Sequence, residues 1–264
     1  MKDLFSISGK VALVTGGSRG IGEMIARGYV VNGVKTYISS RKAEVCEQIA
    51  AELSREGECI AVPADLSSME GVDLLAAEIG KRESKLDILV NNAGATWGAS
   101  IDDFPESGWD KVMDLNVKSP FFLTQRLLPQ LRAAAASEER ARVINIGSID
   151  GINTPAFESY SYSASKAGII HLTRHLAKFL AKDGINVTAV APGPFPSKMM
   201  AATLNEHEAQ IAANNPCGRV GKTEDMAGVA IFLASAAGAY VNGVTIPVDG
   251  GITATLGSWV SPSV

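Results

Sequence analysis

A tyrosine and a lysine four residues apart head one stretch of this chain. Ser159 to Lys166 reads S-Y-S-Y-S-A-S-K and runs into the apolar segment Ala167 to Leu172. On a helix that spacing puts Tyr162 and Lys166 on one face, a turn apart. A phenol beside an ammonium is an acid/base candidate, because positive charge favours the phenolate and lowers a pKa that is ordinarily about 10. Tyr160 has Ala164 at the same spacing and cannot make the pair. The competing reading is an N-capped helix with a serine-rich first turn and a lysine pointing to solvent. On this stretch alone the capping reading is the more economical.

A second constellation lies near the start. T-G-G-S-R-G-I-G (Thr15 to Gly22) follows an apolar β-type run and opens a helical one. In that context Gly16 permits a tight turn, Gly20 lets backbone approach a pyrophosphate, and Gly22 lets helix and strand pack closely. The helix N-terminus adds free N–H groups and the positive end of its dipole, so a dinucleotide site is favoured over a bare turn. The end of the next strand selects the dinucleotide: a carboxylate there accepts ribose hydroxyls, whereas a guanidinium welcomes a 2′-phosphate. This chain has Ser40, Arg41 and Lys42 at that place, and Arg19 in the glycine turn can reach the same phosphate. NADP(H) is therefore favoured, with NAD(H) possible; the alternative is that both arginines only face solvent.

These residues need a scaffold, and short β-rich runs alternating with helical stretches describe one. The strands read as Val11 to Thr15, Lys35 to Ser39, Cys59 to Pro63, Asp87 to Asn91, Arg142 to Gly147, Asn186 to Val190 and Val244 to Val248. Helices are expected from Ile21 to Val31, about Ala43 to Arg55, about Ser68 to Lys81, through a long region ending at Leu131, and around Tyr162 and Lys166. The pattern predicts an α/β fold: a Rossmann-like doubly wound parallel β-sheet flanked by helices on both faces, in a single domain over residues 1–264. Proline in the last run predicts an edge strand or a bulge. R-A-A-A-A-S-E-E-R-A-R (Arg132 to Arg142) reads as a fraying helix end and surface loop.

Composition narrows the partners. The chain has 264 residues, 46% of them hydrophobic, enough for one large core. With 24 basic against 28 acidic residues and no dense cationic cluster, neither nucleic acid nor a membrane is an expected partner. The chain opens M-K-D-L-F-S-I-S-G-K, with one lysine near its start and no sustained apolar run, and cytoplasmic residence is the default expectation. Cys46, Cys59 and Cys217 are far apart with no C-x-x-C, so they read as packing residues.

Taken together, the motifs resemble those of single-domain short-chain dehydrogenases/reductases along nearly the whole chain. T-G-G-S-R-G-I-G resembles that family's glycine motif, A-D-L (Ala64 to Leu66) its adenine-side turn, and N-N-A-G (Asn91 to Gly94) its fourth-strand motif. L-N-V (Leu115 to Val117) resembles the segment with the catalytic asparagine, I-G-S (Ile146 to Ser148) the strand-five serine, and Y-S-A-S-K (Tyr162 to Lys166) the active-site Tyr-x-x-x-Lys. A-P-G (Ala191 to Gly193) resembles the nicotinamide-side loop, and N-G-V-T-I-P-V-D-G-G (Asn242 to Gly251) the C-terminal strand and glycine pair. The resemblance implies hydride transfer between a nicotinamide and a carbonyl or alcohol. Hydride delivery builds negative charge on oxygen, so a proton donor and a second hydrogen-bond donor must already be aimed there. By resemblance, Tyr162 is the acid and Ser148 the second donor; Lys166 lowers the Tyr162 pKa and holds the nicotinamide ribose, and Asn116 anchors a water of a proton relay. Cofactor contacts are implied for Gly16, Ser18, Arg19, Gly20, Ile21, Gly22, Ser40, Arg41, Asp65, Leu66, Asn92, Ala93, Gly94, Pro192, Gly193, Phe195 and Ser197, besides Tyr162 and Lys166. A homotetramer and a substrate lid at about residues 194–217 are implied too.

The loop from Pro192, P-G-P-F-P-S-K-M, departs from the family pattern with two extra prolines and with Ser197 where threonine is usual. Ser197 keeps a hydroxyl and remains a cofactor contact, while the prolines restrict φ and remove donors. Met199, Met200 and Leu204 could line an acyl-sized pocket or form the packed face of a helix. His171 and His175, spaced i and i+4, lack the carboxylate of H-E-x-x-H and are expected on the helix surface or at a subunit interface, with no metal. Trp97 and Trp109 could touch substrate or fill core. The serines at 159, 161, 163 and 165 are read as capping and helix surface. Among family branches, I-N-I-G-S and A-P-G-P-F-P-S look closest to 3-oxoacyl thioester reductases, including those feeding hydroxyacyl lipids. An NAD-linked polyol, sugar or hydroxysteroid dehydrogenase and a dinucleotide-binding regulator on the same fold are the alternatives.

Overall fold

A computed structural model of the chain describes residues 3–136, 140–155, 157–198 and 200–255, with the side chains of 202–204 also outside the description. Seven parallel strands form one sheet in the order β3-β2-β1-β4-β5-β6-β7. They are β1 (Val11–Thr15), β2 (Lys35–Ser39), β3 (Cys59–Ala61), β4 (Ile88–Asn91), β5 (Ala141–Ile146), β6 (Ile185–Pro192) and β7 (Thr245–Val248). The helices are α1 (Gly20–Val31), α2 (Ala43–Leu53), α3 (Met69–Arg82), α4 (Glu106–Met113), α5 (Ser119–Arg126), α6 (Leu128–Ala135), α7 (Tyr160–Leu180), α8 (Ala201–Ala213) and α9 (Thr223–Ala234).

Side chains alternate across a strand, and a sheet buried on both faces needs apolar residues on both. Ala12, Val14, Ile88 and Val90 accordingly pack with α1, α2 and α9, whereas Val11, Leu13, Leu89 and Val143 pack with α3, α5, α6 and α7. The chain leaves β1 toward β2 and β3, then returns to place β4 on the other side of β1. Strand order thus reverses between β1 and β4, and in such sheets the crevice beyond the strands' carboxyl ends there takes the ligand.

The strand positions follow the sequence reading closely, with β3 ending at Ala61 rather than Pro63; larger differences lie in the helices. β7 pairs only with β6, and Pro247 opposite Ala191 is tolerated at that edge as expected. The long helical region resolves into α4, a π-helical turn (Asp114–Lys118), α5 and α6. α9, absent from the sequence reading, packs on α1 so tightly that a Cβ on Gly28 would lie 2.6 Å from Ala227 Cβ. Arg142, read partly as surface loop, is buried in β5 and donates to the carbonyls of Leu233 and Ser235, which ties α9's end to the sheet. Among the described residues no helix is long and apolar enough to cross a membrane.

Candidate active site

The glycine turn sits at the carboxyl end of β1, held from two sides. The Gly17 N–H donates to the Ser39 carbonyl at the end of β2, 3.2 Å away. From β4, Asn92 Nδ2 donates to the carbonyls of Thr15 (2.8 Å) and Gly16 (3.2 Å). Thr15 Oγ1 accepts from the N–H groups of Asn92 (2.9 Å) and Ala93 (3.0 Å) while donating to Val90 O. Gly16 and Gly20 adopt φ of +64° and +54°, the left-handed region that a side chain resists. A Cβ on Gly22 would fall on Gly16 O and Asn92 Nδ2, so helix, turn and β4 meet in a space only hydrogen fits. Arg19 and Arg41 are exposed, and Ser40 is half-buried between them and the sheet. Ser39 Oγ is buried without a partner at this rim. A left-handed glycine cradle, the amino end of α1 and two free-standing guanidinium-bearing side chains fit a phosphorylated dinucleotide.

On the adenine side, Leu66 is buried in the core, whereas Asp65 is exposed with Oδ1 accepting from Ser67 N and Oγ. Ser18 is buried and Ile21 half-buried against the core. On the far side of the crevice β6 ends at Pro192, and the Gly193 N–H donates to Val248 O at 3.0 Å. Ser197 lies against the glycine turn: a Cβ on Gly20 would be 3.1 Å from Ser197 Cβ. Phe195 is buried. Its ring is turned into the core against Gly221, so only its backbone remains for a cofactor. The ring anchors a proline-rich loop that is short of backbone donors.

Tyr162 and Lys166 meet as their spacing requires. Lys166 Nζ lies 5.5 Å from the Tyr162 ring centroid and donates to Ile146 O at 2.8 Å. Lys166 is only 5% exposed, so the solvent-facing reading fails. The phenol's pKa is nevertheless raised rather than lowered. Burial pushes Tyr162 up to about 12; the Ser148 hydroxyl works against that shift and the Asp150 charge adds to it. Burial likewise depresses Lys166 to about 8, opposed by Asp150. Desolvation outweighs attraction because both groups are withdrawn from water and the ammonium faces a carbonyl and the ring rather than the hydroxyl. Ser148 is buried, and its Oγ accepts from Asp150 N at 3.1 Å.

Asn116 stands in the π turn, a distortion common at functional sites. Its Oδ1 accepts from Ala95 N (2.8 Å), and Nδ2 donates to Ala95 O (2.9 Å) and Ser165 Oγ (2.9 Å). Both amide protons are therefore committed to protein, and the side chain ties the β4 loop to α7 instead of holding a water with its amide. Gly94 closes the cluster, since a Cβ there would meet Asn116 Oδ1 at 3.2 Å and Lys166 Nζ at 3.7 Å. The serine reading is also corrected. Ser159 makes no side-chain cap bond, and Ser161 and Ser165 are fully buried. Ser165 Oγ bridges Asn116 to the Tyr162 carbonyl at 2.7 Å.

Several residues that shape the site went unread in the sequence. Thr15 and Ser165 are ordinary residue types whose roles depend on contacts across the sheet. Asn91 and Asn145 form a buried chain, Thr124 to Asn91 to Asn145 to Thr173, joining α5, β4, β5 and α7. An asparagine inside each of two apolar strands was the available signal. Asp150, half-buried two residues after Ser148, also went unread.

Other expectations divide. His171 and His175 are exposed on α7. Cys46 and Cys59 are buried, but Cys217 is exposed and is not a packing residue. Trp97 stacks under Gly108, and Trp109, 42% exposed, lines a shallow apolar pocket with Ile101, Phe104 and Tyr160. Met200 is half-buried, while Met199 and the Leu204 side chain fall outside the described residues.

The family model described as short chain dehydrogenase matches residues 10–208. A rhamnolipids biosynthesis 3-oxoacyl-[acyl-carrier-protein] reductase of Pseudomonas aeruginosa is 51% identical over 253 residues, 95% of this chain and 99% of that one. The solved Pseudomonas aeruginosa RhlG/NADP active-site complex superposes with a TM-score of 0.92 at 50% identity, over 96% of this chain and 100% of that chain. A gluconate 5-dehydrogenase of Burkholderia cenocepacia in complex with NADP and tartrate gives 0.88 at 31% identity, over 96% of this chain and 99% of that chain. With a glycine cradle and a Ser-Tyr-Lys cluster at one end of a doubly wound sheet, and a family match over most of its length, the chain belongs to the short-chain dehydrogenases.

Proposed function

We propose that the protein reduces the ketone of a 3-oxoacyl thioester with NADPH. The observation that carries this is the cluster of Ser148, Tyr162, Lys166 and Asn116 beside the glycine cradle, in which Ser148, Lys166 and Asn116 are buried and Tyr162 is half-buried. NADPH, when bound, supplies the hydride. Gly16, Ser18, Arg19, Gly20, Ile21 and Gly22 would hold its phosphates, with Arg19, Ser40 and Arg41 toward the 2′-phosphate; Asp65 and Leu66 would take the adenine side, and Asn92, Ala93, Gly94, Pro192, Gly193, Phe195 and Ser197 the rest. Tyr162 gives its proton to the ketone oxygen as charge develops there, and Ser148 Oγ donates a second hydrogen bond to the same oxygen. A phenol held protonated by burial suits the reductive direction. Lys166, its pKa depressed by burial, stands one turn from the phenol and would hold the nicotinamide ribose hydroxyls. Asn116 is a positioning residue that keeps the β4 loop and α7 in register.

Identity of about half over nearly the full length with a 3-oxoacyl-[acyl-carrier-protein] reductase supports the thioester. The absence of an acid at Ser40, with Arg19 and Arg41 exposed beside it, supports NADPH over NADH, as do the NADP complexes of both structural neighbours. Similarity to gluconate 5-dehydrogenase keeps a sugar-acid substrate as the second reading. By family resemblance the working protein is a cytoplasmic homotetramer in one domain, with residues 194–217 as its substrate lid. Steady-state oxidation of NADPH and NADH with acetoacetyl-CoA, 5-ketogluconate and a steroid ketone tests this reading. Thioester turnover with NADPH supports it; preferential reduction of 5-ketogluconate, or of anything with NADH, replaces it.

A further inference from the structure

Asp150 is the charged side chain of this centre that the chemistry above leaves without a task. β5 ends at Ile146, and Ser148 then opens a single 3-10 turn, Ile149–Gly151. Because Ser148 Oγ accepts from the Asp150 N–H, one turn places both the hydroxyl and the carboxylate. That turn is fastened to α7 where the site lysine leaves the helix: a Cβ on Gly151 would lie 2.5 Å from the Lys166 carbonyl carbon and 2.7 Å from Ala167 N. Asp150 is half-buried, and Lys166 Nζ donates to Ile146 O. The Asp150 charge nonetheless acts on both partners, raising the pKa of Tyr162 and of Lys166. A carboxylate with little water around it repels a second anion far more strongly than a surface carboxylate does.

We propose that Asp150 is a specificity-determining residue: its carboxylate, carried on the turn that places Ser148, turns away substrates with an anionic group within a few carbons of the reacting carbonyl and so selects neutral ketones. The inference deepens the reading of function above and rests on it for the reacting centre. A 3-oxoacyl thioester is uncharged around its ketone, whereas a sugar acid carries a carboxylate within a few carbons. The repulsion separates these two branches without any new attractive contact, which is how discrimination against a near relative is often built.

The test is a matched pair, ethyl acetoacetate and acetoacetate, which share the ketone and differ in one negative charge. Two charges about 8 Å apart at an effective dielectric constant of about 20 repel enough for roughly a thirtyfold preference. Asp150→Asn should therefore raise kcat/KM for acetoacetate relative to the ester by about thirtyfold, and Asp150→Glu, which keeps the charge, should hold the wild-type ratio. The ratio of dissociation constants for the same two ketones, measured on enzyme holding NADP+ so that no turnover can occur, should move in parallel. An Asp150→Asn ratio within about twofold of wild type, or an equal shift in Asp150→Glu, would overturn the assignment. Wild-type protein that prefers 5-ketogluconate to acetoacetyl-CoA would instead bring down the reading of function, whereas an unmoved binding ratio brings down this inference alone.

Discussion

Replacing Gly22 by alanine strikes the joint on which the cofactor cradle depends, and the structure sets the size of the effect. The new methyl would coincide with Gly16 O and Asn92 Nδ2 and lie 2.8 Å from the Gly16 carbonyl carbon, short of the about 3.5 Å that two carbons need. Every clashing atom belongs to backbone or to a side chain already bonded on both sides, so the neighbours have little room to give. Relief requires moving Asn92 off the Thr15 and Gly16 carbonyls, losing two hydrogen bonds worth about 1 kcal/mol each. Overpacking adds about 2 kcal/mol, for a total near about 4 kcal/mol. For a chain of this size that lowers the melting midpoint by roughly 10 °C. The internal control is Gly228 in α9, where a Cβ would meet nothing within 4 Å. There the same substitution removes glycine's entropy penalty and should raise the midpoint by roughly 2 °C. Thermal melting with and without NADPH reads both, and Gly22→Ala should also weaken NADPH binding because the turn is displaced. A Gly22→Ala midpoint within about 3 °C of wild type, or equal losses at the two glycines, would refute the packing argument.

Two further predictions concern charge. Lys166 is depressed from 10.5 to about 8 by burial, so between those values the unfolded chain binds the proton that the folded chain has lost, and stability rises with pH across that window. The gain is about 3 kcal/mol in full; melting midpoints should climb from pH 8 to pH 10 in wild type relative to Lys166→Met, and parallel curves would contradict the burial argument. Removing Arg19 and Arg41 together should cut the preference for NADPH over NADH by about tenfold or more, since charge-assisted contacts contribute about 1.5 kcal/mol or more each; isothermal titration with both cofactors reads it, and an unchanged ratio would place both arginines in solvent.

What the sequence disclosed and what it withheld follow one physical divide. Strands and the glycine turn were legible because their signals are local: β-rich runs between punctuating glycines, and a strand-turn-helix order around Thr15 to Gly22. The Tyr162 and Lys166 pairing was legible because helical periodicity alone creates it. Burial was not. On its own stretch Lys166 read more economically as facing solvent, and the direction of the Tyr162 pKa came out opposite to expectation because desolvation depends on what packs around the phenol. Ser165 looked like helix surface yet bridges Asn116 to α7, a contact between residues 49 positions apart. Phe195 sits in a motif associated with the cofactor, but the pocket left by Gly221 drew its ring inward. The π turn around Asn116 was unreadable for a related reason, since its extra residue is stabilised by the Ala95 contacts rather than by its own composition.

The account rests most heavily on Tyr162 as the proton donor to the ketone oxygen, and Tyr162→Phe isolates that single hydroxyl. NADPH oxidation with acetoacetyl-CoA, measured alongside NADPH affinity, is the decisive comparison. The expected result is a fall in kcat of about a hundredfold to ten-thousandfold with the NADPH dissociation constant nearly unchanged. A variant that turns over the thioester at close to the wild-type rate would contradict the assignment and move the proton source elsewhere in the cluster.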